Sequence, residues 1–300
     1  MAAKSDYKKM SRLLNETAVD LQGAELSFKV HYWGAMPEHF DNPLHRHSFF
    51  EVCYVLAGEG SYLESDEEYP LRQGTLFCSR PGKWHQIKSE AGIEIYYVAF
   101  ELDSSRSSEE KLNRYLQMMN LNKIVVPMAD ETVTAQTWRM LFTLCKQDRI
   151  MTKEMIRSFA YALLVSFYSE FAEVVESDDF PEHQQISSYY LQRAKLFIED
   201  NLASSLSLHQ LSSYLHITER HLSRLFAVKV GQTFSHYVQE RRVRKSMELL
   251  LETDWTISRI AQEIGFESVH YYSRVFTRKI GVPPGKFRKS QLSEIPFIKL

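Results

Sequence analysis

Three histidines and one glutamate are the residues of this chain whose types and spacing best suit chemistry. His45 and His47 lie two residues apart, Glu51 follows four residues later, and His85 comes further along the chain. If the first segment is a strand, His45, His47 and Glu51 project from one face, because side chains alternate along a strand. Imidazole and carboxylate together can hold zinc, manganese, iron or nickel, or can bind a small hydroxylated ligand. The alternative is that the histidines only hydrogen-bond within the domain.

The sequence around this group predicts a small antiparallel β-barrel or sandwich. Short strand-like segments alternate with turns that contain glycine and proline, and no helical pattern separates them. The predicted strands are Phe28 to Tyr32, Phe50 to Leu56, Ser61 to Leu63, Thr75 to Cys78 and Ile93 to Phe100. Cys53 and Val55 continue the face of Glu51, so we expect a cavity with polar residues at one end and an apolar floor.

Two motifs in this segment resemble those of the cupin family over about residues 30 to 101. They comprise His45-Arg46-His47, Glu51, Gly58, Gly74, Pro81 and His85. The second motif departs from the family pattern because Gly82 directly follows proline. The resemblance implies a jelly-roll barrel whose cavity gathers the histidines and the glutamate. The predicted effector-binding residues are His45, His47, Glu51, Trp84 and His85.

A second set of residues suits DNA recognition, because one pattern occurs twice in the last third of the chain. Residues 208–231 match residues 257–281, and Ser223-Arg224-Leu225-Phe226 falls on Ser273-Arg274-Val275-Phe276. In each copy two apolar stripes at helical spacing flank a short interruption, which predicts two short helices joined by a tight turn. Gly265 suits the positive φ of such a turn.

The outward faces of the second helices indicate DNA reading rather than a plain helical hairpin. One face carries Arg220, Ser223 and Arg224, and the equivalent face carries His270 and Arg274. Arginine can bond guanine bidentately in the major groove, and serine can serve several bases. Thr218 and Ser268 are predicted to cap these two helices.

A long helix over Tyr237 to Leu251 is predicted between the two copies. Its basic cluster, Arg241-Arg242-Val243-Arg244-Lys245, is placed to meet DNA phosphates. We expect Arg242 to make such a contact. The alternative is that these residues form only a solvated helix side.

One set of residues in the second copy resembles the C-terminal signature of the AraC/XylS family of bacterial transcription regulators. It consists of the segment from Ile260 to Phe266, Tyr272-Ser273-Arg274-Val275-Phe276, Lys279, Gly281, Pro284 and Phe287-Arg288. The resemblance covers about residues 186 to 291. It implies two helix-turn-helix units whose recognition helices enter successive major grooves. The resulting set of predicted DNA-binding residues is Arg220, His221, Ser223, Arg224, Arg242, His270, Tyr271, Ser273 and Arg274.

The same resemblance implies the partners. These are double-stranded DNA, RNA polymerase, a small effector that is most often a carbohydrate, and a second copy of the chain. In regulators of this build the cupin-like histidines often persist without a functional metal, so no metal and no cofactor are expected. If a metal binds, His45, His47, Glu51 and His85 would hold it. The expected function is an effector-responsive activator of a sugar-uptake or carbohydrate catabolic operon.

Two further classes of function stay open. One is a metal-dependent cupin oxygenase or isomerase fused to a DNA-binding domain, and the other is a metal-sensing regulator. The interpretation as a transcription regulator predicts no catalytic residues. Stoichiometric metal that is lost on His47→Ala would favour the enzyme.

Charge divides the chain into two halves. Residues 183–300 hold 17 Lys plus Arg against 10 Asp plus Glu, whereas residues 1–182 hold 19 against 28. A basic half is drawn to nucleic acid and an acidic half is not. The prediction is therefore an α+β protein with an effector-binding and dimerisation domain over 1–182 and a DNA-binding domain over 183–300. Within them we expect a barrel at about 28–101, helices at about 108–176, and helix-turn-helix units at about 208–230 and 257–280.

Two apolar helical stripes are predicted between the barrel and the DNA-binding domain. They consist of Trp138, Leu141, Phe142 and Cys145, and of Ile156, Phe159, Leu163, Phe167, Phe171 and Val174. Each stripe needs a partner, which is a second copy by resemblance or the barrel of the same chain. The acidic segment from Glu176 to Gln185 is the predicted linker.

Length and composition indicate a folded protein of 300 residues with 44% hydrophobic and 25% charged residues. The polar start and the short apolar runs predict neither a signal peptide nor a membrane span, so a cytoplasmic protein is expected. Cys53, Cys78 and Cys145 lie far apart and are expected to be buried or half-buried thiols.

Overall fold

The computed structural model describes residues 4–119, 123–146, 153–172 and 182–294. These residues form two compact units, one ending at Arg193 and the other starting at Ala194. The predicted α+β class with two domains is confirmed. The predicted boundary after residue 182 precedes the observed division, because an unbroken helix runs from Glu182 to Asp200.

The first unit is built on two antiparallel sheets. The strands are β1 (Asp20–Gln22), β2 (Ser27–His39), β3 (Phe50–Ala57), β4 (Glu59–Glu64), β5 (Glu67–Arg72), β6 (Leu76–Ser79), β7 (His85–Lys88), β8 (Ile93–Leu102) and β9 (Val125–Val126). One sheet has the order β1-β2-β8-β3-β6-β9 and the other the order β5-β4-β7. The predicted β-rich first domain is confirmed.

The core of this unit contains the apolar floor that the sequence predicts. Cys53 and Val55 on β3 are buried together with Tyr62, Phe77 and Ile95. Full burial of one such side chain contributes about 1.5–3 kcal/mol relative to exposure. The floor therefore also contributes to the stability of the unit.

The strand prediction is wrong at residues 45–49, and it omits β1, β5, β7 and β9. Residues 45–49 are not a strand, since β3 begins at Phe50 and His45 makes only an isolated bridge with His85. Strand β5 was missed because it is an edge strand that contains Pro70, and proline within a run argues against a central strand.

Among the described residues, four α-helices lie wholly within the first unit: α1 (Lys4–Thr17), α2 (Glu109–Leu116), α3 (Val133–Lys146) and α4 (Lys153–Phe171). Both predicted apolar stripes pack within the same chain. The ring of Trp138 lies 6.2 Å from that of Tyr54, and the ring of Phe167 lies 5.8 Å from that of Phe100. Phe159 is half-buried, while Val174 and most of the predicted linker fall outside the described residues. The three cysteines are buried thiols, as predicted.

The remaining helices are α5 (Glu182–Asp200), α6 (Leu208–Leu215), α7 (Glu219–Lys229), α8 (Phe234–Glu252), α9 (Ile257–Glu263), α10 (Val269–Ile280) and α11 (Pro284–Glu294). The pairs α6/α7 and α9/α10 are the two predicted helix-turn-helix units, and α8 is the predicted long helix. Within the described ranges, every helix is too short or too polar to traverse a bilayer.

Local sequence explains where the two recognition helices begin. The Thr218 hydroxyl accepts the His221 N–H at 3.1 Å, and the Ser268 hydroxyl accepts the Tyr271 N–H at 3.4 Å. Both predicted caps are confirmed. Gly265 has φ +82°, as its turn requires. In the turn of the first helix-turn-helix unit, His216 takes a φ of 55°.

Candidate effector cavity and DNA-reading surface

The first unit contains an open cavity of about 370 Å³. Its lining consists of Tyr32, Trp33, Met36, His39, Asn42, His45, Glu51, Cys53, Ile87, Ile95 and Tyr97. Of the predicted effector-binding residues, His45 and Glu51 line it. The volume falls in the range of small-molecule sites in proteins.

Glu51 supplies a buried negative charge at this cavity. The Tyr32 hydroxyl donates to its Oε1 at 2.8 Å, and His47 Nε2 lies 3.8 Å from its Oε2. Burial favours the neutral acid, but His47 and the hydrogen bond from Tyr32 outweigh burial and lower the pKa of Glu51. The carboxylate is therefore ionised at neutral pH.

Three predicted histidines converge beside Glu51. One ring nitrogen from each of His45, His47 and His85 lies within 4.8 Å of the others. Their Nδ1 atoms lie 2.8–2.9 Å from the backbone carbonyls of Pro43, Phe49 and Lys83. A carbonyl only accepts, so each Nδ1 carries a proton, and Nε2 is the nitrogen of each ring that can bind a metal when it is unprotonated.

At the two more buried rings, His47 and His85, the buried Nε2 atom makes no hydrogen bond within the described residues. Burial and the neighbouring His47 lower the pKa of His85 to about 4, so its ring is neutral at pH 7. The donor set of three imidazoles suits zinc, copper, iron or nickel.

Trp84, the aromatic residue of the predicted effector-binding set, differs in its surroundings from the tyrosines of the same unit. Trp84 is half exposed, outside the cavity lining, with the Arg46 guanidinium 5.0 Å from its ring. Tyr54, Tyr62 and Tyr96 are buried in the unit. Tyr97 lines the cavity, as do Tyr32 and Trp33.

Sequence reasoning missed Tyr32, His39 and Asn42 as cavity residues. Tyr32 and His39 lie on β2, which extends further than predicted, to His39, and Asn42 lies just after this strand. A signal was present in Gly34, which pairs with Tyr97 and whose missing side chain leaves space for that ring. Glycine inside a strand often marks such a close approach.

The second unit presents the predicted DNA-reading residues on the outer faces of α7 and α10. Leu222, Leu225 and Phe226 of α7 are buried, and Tyr272, Val275 and Phe276 of α10 are their counterparts. Opposite them, Arg220, Ser223, Arg224, His270, Tyr271 and Arg274 are exposed, while His221 and Ser273 are half-buried. Both helices therefore offer hydrogen-bonding side chains suited to a major groove.

Contacts inside the unit orient Tyr271 on α10. Its hydroxyl accepts a hydrogen bond from the Gln239 amide Nε2 at 2.9 Å, and the Arg274 guanidinium lies 5.9 Å from its ring. Gln239 belongs to α8. The long helix thus supports the reading face of the second recognition helix.

The basic cluster on α8 differs from its prediction as a set of phosphate contacts. Arg241 forms an ion pair with Glu199, and Lys245 with Glu248. The Arg242 guanidinium donates to the carbonyl oxygens of Leu202 at 3.0 Å and Ser204 at 2.7 Å. These side chains have partners inside the protein.

Two sequence profiles match this chain. The AraC-like ligand binding domain matches residues 25–153, and a helix-turn-helix domain matches residues 211–290. The "Uncharacterized HTH-type transcriptional regulator YfiF" of Bacillus subtilis (strain 168) is 42% identical over 276 residues, which cover 92% of this chain and 88% of the relative. The HTH-type transcriptional activator RhaR of Pectobacterium carotovorum subsp. carotovorum (strain PC1) is 26% identical, covering 84% of this chain and 87% of the relative.

Solved structures also resemble parts of the chain. The C-terminal domain of AraT, a response regulator from Geobacillus stearothermophilus, is 28% identical with a TM-score of 0.35, covering 41% of this chain and 97% of that chain. ToxT from Vibrio cholerae is 14% identical with a TM-score of 0.35, covering 87% and 98%.

The curated relatives are transcriptional regulators and not enzymes. The Bacillus subtilis relative aligns along most of its length with most of this chain. The two profiles match the two halves of this chain. The chain therefore belongs to the AraC family of helix-turn-helix transcriptional regulators.

Proposed function

We propose that this regulator is an activator, responsive to a small carbohydrate, of a sugar-uptake or carbohydrate catabolic operon in the cytoplasm. The observation that carries the proposal is the cavity of about 370 Å³ with the Glu51 carboxylate at its wall. The activating direction is supported by distant relatives, which are described as activators.

The chemistry of the cavity favours a neutral, hydroxylated ligand. The ionised Glu51 accepts hydrogen bonds from hydroxyl groups and repels an anion. Tyr32 and Tyr97 offer ring faces, against which the apolar face of a sugar ring can pack. A neutral monosaccharide fits this combination better than a sugar phosphate.

Ligand binding is tested by titrating the purified full chain with neutral sugars and with their phosphate esters in a calorimeter. We expect one neutral sugar to bind and its phosphate ester to bind at least tenfold more weakly. Glu51→Gln should weaken the neutral sugar, whereas Glu59→Gln, a matched change at an exposed carboxylate of β4, should not. Equal binding of the sugar and its phosphate would contradict the proposed ligand class.

We propose that the regulator acts as a homodimer that contacts RNA polymerase. Uncharged side chains on the outward faces of α3 and α4 support an interface: Met140, Met155 and Val165 are exposed. Sedimentation equilibrium tests it. We expect a dimer for the natural chain and a monomer for Val165→Glu, while Ser213→Glu, at an exposed position of α6, serves as the control for added charge.

A metal-sensing regulator is the second candidate function, and the three converging Nε2 atoms favour it. A cation would satisfy three lone pairs that otherwise face one another. Backbone carbonyls already hold the opposite nitrogen of each ring, which is the arrangement that orients histidine ligands.

Equilibrium dialysis of the full chain against Zn²⁺ and Ni²⁺ tests this candidate, followed by DNA-binding titrations with and without the metal. The metal-sensing function predicts one bound ion per chain, loss of the ion in His47→Ala, and an altered affinity for DNA. Bound metal without any change in DNA affinity would contradict sensing. Absence of bound metal would leave the carbohydrate proposal alone.

A further inference from the structure

We infer that Arg242 is a positioning residue that sets the spacing of the two recognition helices, rather than a contact to a DNA phosphate. The inference rests on the DNA-binding function of the family and is independent of the proposed effector. The inference is based on a junction of three chain segments inside the second compact unit. These segments are the loop 201–204, helix α8, and the turn between α9 and α10.

The first side of the junction is the loop that leads into the first helix-turn-helix unit. Arg242 Nε donates to the Leu202 carbonyl at 3.0 Å, and Nη2 donates to the Ser204 carbonyl at 2.7 Å. The planar guanidinium can donate in two directions at fixed geometry, which the lysine ammonium cannot reproduce. The loop that precedes α6 is thereby fixed to α8.

The second side of the junction is the turn between α9 and α10, in the second helix-turn-helix unit. The Arg242 guanidinium lies 5.6 Å from the centroid of the buried Phe266 ring. At Gly265 a Cβ atom would collide with the Leu202 carbonyl oxygen and lie 2.8 Å from Arg242 Nη2. The turn of the second helix-turn-helix unit thus packs directly on the loop 201–204 and on Arg242, which holds that loop.

A phosphate contact would need the same guanidinium to face solvent. Arg242 is half-buried, burial lowers its pKa, and its Nε and Nη2 donate to carbonyl oxygens of the same unit. Arg244, two residues further on, is exposed and has no ion pair in the described part of the chain. The helix therefore separates a positioning arginine from one that is available for phosphate.

The consequence concerns DNA spacing. Two recognition helices that enter successive grooves must match the helical repeat of about 10 base pairs. A rigid junction makes the protein reject DNA in which the two contact regions are shifted by one base pair. A loosened junction should tolerate the shift and bind the correctly spaced site less well.

The experiment uses the full-length protein and a duplex selected from random DNA by the natural chain, with and without one inserted base pair between the two contact regions. We expect Arg242→Lys to bind the intact duplex about tenfold more weakly and to discriminate less against the insertion. Its salt slope should stay unchanged. Gly265→Ala, which disturbs the same junction without removing charge, should also reduce discrimination.

Arg244→Met is the matched control from the same cluster. It should lower the salt slope by about one and leave spacing discrimination intact. Circular dichroism selects folded variants, and Gly265→Ala decides the question if Arg242→Lys does not fold. Natural affinity and natural spacing discrimination in Arg242→Lys, with a salt slope lowered by about one in Arg242→Met, would assign a phosphate contact and overturn the inference.

Discussion

At the scale of single residues, chemistry in this protein depends on which side chains the fold leaves available. The predicted histidines and Glu51 do converge, although residues 45–49 are not the strand from which their convergence was predicted. Their spacing and the cupin-like motifs were enough to predict that they lie together. The partners of Arg242 could not be predicted, because the carbonyls of Leu202 and Ser204 lie about forty positions earlier and carry no sequence signal.

Arg274 is predicted to read one base. It is exposed on α10, with its guanidinium 5.9 Å from the ring of Tyr271. Arg274→Ala should cost about 1–3 kcal/mol on the selected site and blur preference at one base position. Competition titrations against single-base variants measure both effects. An equal loss on every sequence would assign Arg274 to a phosphate.

Arg193 is predicted to be essential for the stability of the first unit. It is buried and pairs with the buried Glu101, whose carboxylate also lies 3.2 Å from His31 Nε2. Arg193→Met should lower the free energy of unfolding by about 3–5 kcal/mol, because it leaves a buried carboxylate without its main partner. Urea unfolding followed by tryptophan fluorescence measures the loss.

Adding Glu101→Gln to Arg193→Met should recover part of that stability, since the second change removes the orphaned charge. A single variant as stable as the natural chain would show that the pair contributes little. The pair itself joins residues 92 positions apart, so sequence periodicity gave no indication of it.

At the scale of elements, the helix-turn-helix units were predictable because several local signals agree there. Apolar periodicity, capping residues and a glycine turn indicate the same boundaries. Helix α1 and the edge strand β5 were missed, since α1 is rich in charged residues and β5 contains proline. Their placement depends on packing partners distant in sequence.

The cap of the first recognition helix is predicted to matter for its stability. Thr218→Ala removes the hydroxyl that accepts the His221 N–H and should cost about 1 kcal/mol of unfolding free energy. Thr218→Ser keeps the hydroxyl and should stay close to the natural chain. Thermal unfolding of both variants checks the prediction, and equal melting temperatures would refute the role of the cap.

At the scale of the whole molecule, the acidic and basic halves of the sequence correspond to two kinds of unit. The first is a β-rich unit with a cavity, and the second is a helical unit with two reading helices. Composition predicted this division, and helix α5 accounts for the later position of the observed boundary. The identity of the effector depends on a few cavity contacts, which pattern alone does not specify.

Regulation through the cavity requires a difference in affinity. An effector changes the population of DNA-binding arrangements only to the extent that it binds them unequally. A tenfold effect of a sugar on DNA affinity would correspond to about 1.4 kcal/mol of coupling. The same factor must appear when DNA is added to a sugar titration.

Genome-wide footprinting of the protein on its host DNA, with and without a panel of sugars, tests the central claim most directly. The account predicts sequence-selective sites upstream of a sugar-uptake or catabolic operon, with occupancy that one sugar changes. Absence of sequence-selective binding would contradict the account of a DNA-reading regulator. Selective sites that no sugar affects would contradict the proposed carbohydrate effector.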